Sequence, residues 1–320
     1  MDAELRNPRN DDTAALRHIW RTVFSVDDED LFFSHYYDPA LCIEAISADK
    51  PVASGYLLPC GNLVSGGKAA PCAMIYGVAT LPGYRSLGYG AAVVHGLIGL
   101  GNKLGYAAIA LCPSEDSLFG YYSARSNLRD WFYVLQQETV INPPSQHKLP
   151  LSPVAPDEYI RLREPLLDGI AHISLDERAA EYQALICSRF GGGLYRIDSG
   201  IGVSCAVIEK QTGGEVRVKE LLLPPGPDDA DIRADILSAI SAAFPADKYI
   251  IRSPVRSRAA ASGRDLQADT AALSTIKRYQ SDCKIRRFGM LAPPDIFPDD
   301  IFPADIVGDA ALPWLGLAFD

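Results

Sequence analysis

Apolar positions in this 320-residue chain follow two different periods, and the switch between them outlines the elements. Behind the polar cap Asp11-Asp12-Thr13, Leu16, Ile19, Trp20 and Val23 recur at i, i+3, i+4 and i+7, which predicts an amphipathic helix. A second helix is expected from Asp28 through Leu31, Phe32 and Phe33 to Tyr37, ending before Asp38-Pro39 because proline disfavours the helical conformation in the residue before it. The period then becomes two. Residues 42–47, 51–60 and 68–80 read as three strands, separated by turn residues at Ala48 to Pro51 and Ser65 to Lys68, and together they predict an antiparallel meander. Residues 87–104 are apolar nearly all round, with Gly96, Gly99 and Gly101 permitting close approach, so this helix should lie buried against a sheet. Residues 106–113 follow as a buried strand, 115–125 as a short helix and 131–141 as another strand.

The same order of elements returns further on. Residues 142–156 carry five prolines between 143 and 156 and read as a linker. Helical patterns around 157–168 and 176–189 lead into strands at 191–200, 201–210 and 215–226, a helix over 228–244 and a strand at 248–255. This is a weak internal repeat of pattern rather than identity. Residues 291–320 hold five prolines and six acidic residues without Lys or Arg, and are expected to pack as a tail through their aromatic and aliphatic side chains. The expected organisation is thus a first domain at 1–141, a linker at 142–156, a second domain at 157–290 and a tail at 291–320.

Composition narrows the class. With 48% hydrophobic and 22% charged residues, the chain can bury sizeable cores, and collagen-like, coiled-coil and wholly disordered readings are excluded. No window approaches the roughly 18 uninterrupted apolar residues that a membrane helix needs, and the N-terminal dozen residues are too polar for a signal peptide, so a cytoplasmic location without membrane association is expected. A net charge of −10 without basic runs argues against nucleic-acid binding and weakly favours a cationic acceptor. Seven scattered cysteines (Cys42, Cys60, Cys72, Cys112, Cys187, Cys205, Cys283) form no metal-ligating spacing and read as reduced thiols, so no metal is expected. Self-association into a homo-oligomer stays open.

The candidate chemistry lies at the end of the third strand. After Thr80 a short loop leads to Arg85-x-x-Gly88-x-Gly90-Ala91, which opens the apolar helix. Small residues let a ligand approach the backbone, the first helix amides are free donors at the positive end of the dipole, and Arg85 adds a full charge, a set suited to phosphate or pyrophosphate. A tight turn alone would also use glycines. The dinucleotide fingerprint and the phosphate-loop NTPase motif both fail on spacing.

In this position, between the third strand of a meander and a long helix, residues 75–91 resemble the acetyl-CoA signature of the GCN5-related N-acetyltransferases (GNAT), and the element order resembles that family over residues 4–141. The resemblance implies an α/β (α+β) fold with a mixed, mostly antiparallel sheet flanked by helices, followed by a second, degenerate GNAT-like module. It implies acetyl-CoA as donor, a primary amine as acceptor (a small molecule or a lysine) and direct transfer, the alternative being a non-catalytic acyl-CoA-binding or regulatory module. Backbone groups of Val78, Ala79 and Thr80 would hold the pantetheine arm, with the Val78 amide near the thioester carbonyl. Arg85, Ser86, Leu87, Gly88, Tyr89, Gly90 and Ala91 would hold the pyrophosphate. The family also places a tyrosine acid in a pattern like F-Y-x-x-x-G-F, onto which Tyr122 fits, with Tyr121 as fallback, and Ser126-Asn127 would then replace Gly-Phe.

For the base that deprotonates the acceptor, Glu44, Glu115, Asp116 and His35 are unranked, and for each a solvated surface role is the simpler expectation. The tandem organisation resembles the enhanced-intracellular-survival acetyltransferases, by which the Asp320 carboxylate would reach the active site. His95 is expected to be a core or flank residue. Cys112 lies near the expected thioester, but no His stands beside it in sequence to activate it. In the second module Asp228, Asp229 and Asp231 stand where the first has its glycines, and would repel a pyrophosphate.

Overall fold

The computed structural model describes residues 4–24, 29–141, 149–200, 202–224, 230–256, 282–292 and 311–317. The first run of elements is β1 (Glu4–Arg6), α1 (Thr13–Phe24), α2 (Glu29–His35), β2 (Cys42–Ser47), β3 (Lys50–Ser65), β4 (Lys68–Thr80), α3 (Tyr89–Lys103), β5 (Ala108–Leu111), α4 (Asp116–Ser126) and β6 (Arg129–Thr139). The second is β7 (Leu151–Pro153), α5 (Pro156–Leu166), β8 (His172–Ser174), α6 (Glu177–Arg189), β9 (Gly193–Asp198), β10 (Val203–Lys210), β11 (Glu215–Leu222), α7 (Ala230–Ala243), β12 (Lys248–Ser253) and β13 (Asp282–Leu291). The expected start of the second helix at Asp28, and that of the later helix at Asp228, lie outside the described residues.

The chain divides into two compact units, residues 1–64, 68–131 and 288–301, and residues 65–67, 132–287 and 302–320. This differs from the expected boundaries in an instructive way. Most of β6, read as the last strand of the first domain, belongs to the second unit, where it pairs antiparallel with β12 from Tyr249↔Thr139 to Ser253↔Leu135. The end of β13 joins the first unit, pairing antiparallel with β5 through Met290↔Leu111 and Leu291↔Ala110. Each unit is completed by a strand that the other half of the sequence would claim by proximity, because backbone groups at a sheet edge are satisfied by whichever strand lies beside them. The expected linker also contains structure: β7 pairs with β9, and Pro156 starts α5.

Within the first unit the strand order is β1-β2-β3-β4-β5-β13, antiparallel except for β4 against β5. The apolar face of α3 (Val93, Val94, Leu97) packs on Ile43, Ala45, Leu57, Ala73 and Ile75 from β2, β3 and β4. The opposite face carries α1, whose fully buried Leu16 and Ile19 and nearly buried Trp20 are the residues of its apolar stripe. The second unit repeats the plan: β9, β10 and β11 form a meander, α7 packs Ile236, Leu237 and Ile240 on it, and β12 runs parallel to β11. The mixed sheet flanked by helices is therefore present as expected.

Candidate functional site

The first unit's site is built by a mismatch in strand length. β4 has 13 residues and β5 only four, so their parallel pairing runs from Cys72↔Ala108 to Ile75↔Leu111 and then stops. Tyr76 to Thr80 continue beyond that pairing, and four of these five residues are partly exposed. A kink starts the divergence. Gly77 adopts φ +58, and a Cβ there would lie 2.7 Å from the Trp20 ring and 3.1 Å from Tyr56. Only glycine lets the indole of α1 close on the strand at this point.

The chain then turns through Pro82–Tyr84, with Ser86 at φ +64, and Gly88 caps α3 in the left-handed region at φ +89. Gly88 offers no side-chain cap, so the first amides of α3 have no side-chain acceptor at their cap, and a Cβ at Gly88 would meet nothing within 4 Å. The surface over the helix N-terminus is thus bare backbone, with Arg85, Ser86, Leu87 and Gly88 exposed around it. Arg85 is steered by an Nε hydrogen bond to the Thr80 carbonyl (3.3 Å). Tyr89 instead turns into the core, edge-on to Tyr84, while Ala91 is partly buried. These residues fit a phosphate-bearing ligand, since the space a side chain would fill is left free and a positive helix end faces it.

The two tyrosines separate sharply. Tyr121 is 38% exposed, and its hydroxyl would sit 3.3 Å from a Cβ at Gly90, with Thr80 Oγ1 3.5 Å from the same point. Tyr122 is 8% exposed and packs among Val93, Phe119 and Leu128, where burial, with Tyr121 adding a smaller effect, pushes its phenol up to about 12. The turn after α4 explains this placement. Asn127, not Ser126, adopts the left-handed conformation (φ 55), and Leu128 behind it is fully buried. Asn127-Leu128 therefore stand at the Gly-Phe of the expected pattern, Tyr122 stands at its buried Phe, and Ser123 stands at its Tyr. The register read from the sequence is corrected by one residue, because a helix C-cap is set by backbone conformation and Asn tolerates φ > 0 better than Ser.

Of the remaining candidates, His95 is exposed on α3. Cys112 is partly buried, with its thiol donating to the Phe288 carbonyl (3.0 Å). Glu115, Asp116 and His35 are exposed, and His35 Nδ1 is engaged by Leu31 O and Ser34 Oγ. Glu44 is fully buried on β2. Asp320, and the aspartates 228 and 229, lie outside the described residues, as do the side-chain surroundings of Asp231. Sequence reasoning missed Gly77 and Ser123. Gly77 alone left a signal, a glycine inside a β pattern.

The second unit shows what the same frame does with other residues. β11 and β12 also stop pairing early, at Val218↔Ile251, and the interval along the chain that separates Ile75 from Val218 also separates Gly77 from Glu220 and Trp20 from Arg163. Where the first unit has indole against glycine, the second has a buried ion pair. Arg163 Nε and Nη2 donate to Glu220 Oε1 and Oε2 (2.9 and 3.1 Å), Tyr159 Oη donates to Oε1 (2.6 Å) and Trp314 Nε1 to Oε2 (2.7 Å). Trp314 is fully buried there, and its backbone pairs with Ala171 and Ile173. Lys219 to Leu222 are all buried.

The first unit thus presents a strand that diverges from a shorter parallel neighbour beside a glycine-capped helix. Residues 4–124 match the family model "Acetyltransferase (GNAT) domain", so this part of the chain is similar to GNAT domains. Solved structures with a similar fold include a GCN5-related N-acetyltransferase from Anabaena variabilis (TM-score 0.64, 16% identity, covering 91% of this chain and 72% of that one). Eis1 from Mycobacterium abscessus aligns with TM-score 0.56 and 12% identity over 92% and 74% of the two chains. A tandem GNAT protein from the clavulanic acid biosynthesis pathway aligns with TM-score 0.52 and 15% identity over 92% of this chain and all of that one. At these identities the likeness is one of fold, and it extends over nearly the whole length of this chain. No curated protein sequence matches the chain. Among the described residues, no group of three or more His, Cys, Asp or Glu is arranged to hold a metal, and no helix is long and apolar enough to cross a membrane.

Proposed function

We propose that the chain transfers an acetyl group from acetyl-CoA to a primary amine, with the donor held by the first unit. The observation that carries this reading is the partly exposed stretch Gly77 to Thr80, beyond the end of the β4–β5 pairing, leading into the glycine-capped N-terminus of α3. Val78 and Thr80 offer backbone groups to a pantetheine arm as an added strand would, and the amides from Arg85 to Ala91 receive the pyrophosphate. The Val78 N–H would stabilise the oxygen that gains charge when the amine attacks the thioester carbonyl. As the C–N bond forms and the C–S bond breaks, the departing thiolate needs a proton. We assign that role to Tyr121, the half-exposed phenol beside Gly90 and Thr80, rather than to the core residue Tyr122.

One observation supports the second reading, a binding or regulatory module: Ser123 stands where the family's tyrosine is expected. Coenzyme A release followed with a thiol reagent over a panel of primary amines separates the two. Turnover supports the transferase. Tight acetyl-CoA binding without turnover on any amine supports the module, and no thermal shift with coenzyme A removes both. The acidity of the chain is consistent with a cationic acceptor, either a small molecule or a lysine side chain.

A further inference from the structure

Four acidic or basic side chains were open as the base for an amine acceptor, and the fold distinguishes one of them. Glu44 is the buried one, while Glu115, Asp116 and His35 face solvent. Its neighbours along the sheet lead to the acyl site. Glu44 is the cross-strand partner of Ser54 on β3. β3 and β4 are adjacent, Leu81 N–H donates to Val52 O (2.9 Å), and Tyr56 lies beside Gly77, a register that brings Ser54 opposite Ala79. Val78 faces α3, because its side chain meets the position a Cβ at Gly55 would take together with Leu97 and Val93. Ala79, Ser54 and Glu44 therefore form a row across the opposite face, the one covered by α1, and neighbouring side chains in such a row are roughly 5 Å apart.

The Glu44 carboxyl is held in an unusual way. Arg6 Nη1 lies 2.7 Å from both Glu44 Oε1 and Asp12 Oδ2, yet only the Asp12 contact is aligned as a hydrogen bond, and neither Glu44 oxygen has an aligned donor. The charged and titratable groups around it are Arg6 on β1, Arg9 and Asp12 ahead of α1, Tyr37 after α2, Cys42 on β2 and Tyr56 on β3. Burial, with the Asp12 charge adding to it and Arg6 opposing, pushes this carboxyl up to about 7. The Tyr56 hydroxyl is turned toward Ser54 without full hydrogen-bond geometry.

On the transferase reading above, we propose that Glu44 accepts, through Ser54, the proton that an ammonium acceptor must lose before it attacks the thioester. An ammonium proton passes to the Ser54 oxygen as the Ser54 proton passes to the Glu44 carboxylate, leaving a neutral amine and a carboxylic acid. The amine lone pair then forms the C–N bond. Glu44 acts through Ser54 and is in this sense a positioning residue for the proton rather than a group touching substrate.

The test compares two acceptors with the full chain and acetyl-CoA: benzylamine, an ammonium ion at neutral pH, and p-anisidine, already neutral there. Glu44→Gln should lower kcat/KM for benzylamine about a hundredfold near pH 7, remove the rise of rate through pH about 7, and leave p-anisidine within about twofold, with coenzyme A affinity unchanged. Ser54→Ala should act in the same direction and carries the comparison if Glu44→Gln does not fold. Equal losses on both amines, or an unchanged benzylamine profile, would overturn the relay while leaving the transferase intact. Acetyl-CoA binding by the wild-type chain without turnover of either amine would overturn the transferase reading, and the relay with it.

Discussion

The two units use one strand-and-helix plan for opposite ends. In the first, a parallel pair that separates after Ile75 leaves a partly exposed stretch, and Gly77 there admits the Trp20 indole against the strand. In the second, the pair separates after Val218, and the released stretch is buried under a charged network centred on Glu220. A glycine and a glutamate at matching places turn the same geometry into a partly exposed edge or an internal joint. The splay is a property of the fold, and its use depends on what fills it.

The largest effect should come from breaking the joint. Glu220→Ala would leave Nε and Nη2 of the fully buried Arg163 guanidinium and the Trp314 N–H without the carboxylate they share, and should cost the chain about 3–5 kcal/mol. A lowered unfolding midpoint with red-shifted tryptophan emission checks this, and a near-native midpoint would break the contrast between a filled and an open splay. Next comes Gly88→Glu, which places a carboxylate over the bare N-terminus of α3 at a φ of +89. Coenzyme A affinity by calorimetry should fall at least about a hundredfold through charge conflict and strain, and unchanged affinity would remove the pyrophosphate assignment.

Gly77→Ala forces a Cβ into the Trp20 ring at positive φ and should destabilise by about 1–3 kcal/mol, measured by chemical denaturation. Tyr121→Phe should lower turnover about tenfold or more at unchanged coenzyme A affinity, whereas Tyr122→Phe, a core change, should leave turnover near native. If the two variants behave the other way round, the corrected register of α4 is wrong.

The smallest effect is on the pH dependence of stability. Burial raises the Glu44 carboxyl from its ordinary value to about 7 in the folded chain, so the folded state holds a proton that the unfolded state has released. The contribution is present below the ordinary carboxylate range and is lost as pH rises to about 7. Glu44→Gln should flatten that slope in unfolding midpoints measured across this window, and an unaltered slope would mean that another group carries it.

Much of this was legible in the residues. The change of period from 3.6 to two marked the meander, and Gly88-x-Gly90 after a strand marked the turn into α3, because glycine adopts the left-handed cap without a side chain. β13 was not legible: its Lys284, Arg286 and Arg287 interrupt any apolar alternation, and its end becomes a strand through pairing with β5. Nor was the choice between Tyr121 and Tyr122, since adjacent residues on a helix differ by about 100° in direction and only the packing of α3 against α4 decides which faces the core. Glu44 reads as one acid among many until its burial beside Ser54 is seen.

The sequence by itself determined the elements, the glycine-capped helix and the repeat of plan, because these depend on local backbone preference and on the spacing of apolar residues. Which strand completes which unit, which tyrosine meets the cleft and which carboxyl loses its solvent were decided by the tertiary structure. Each depends on hydrogen-bond partners and burial supplied by residues far apart in the chain, and local pattern holds no information about either.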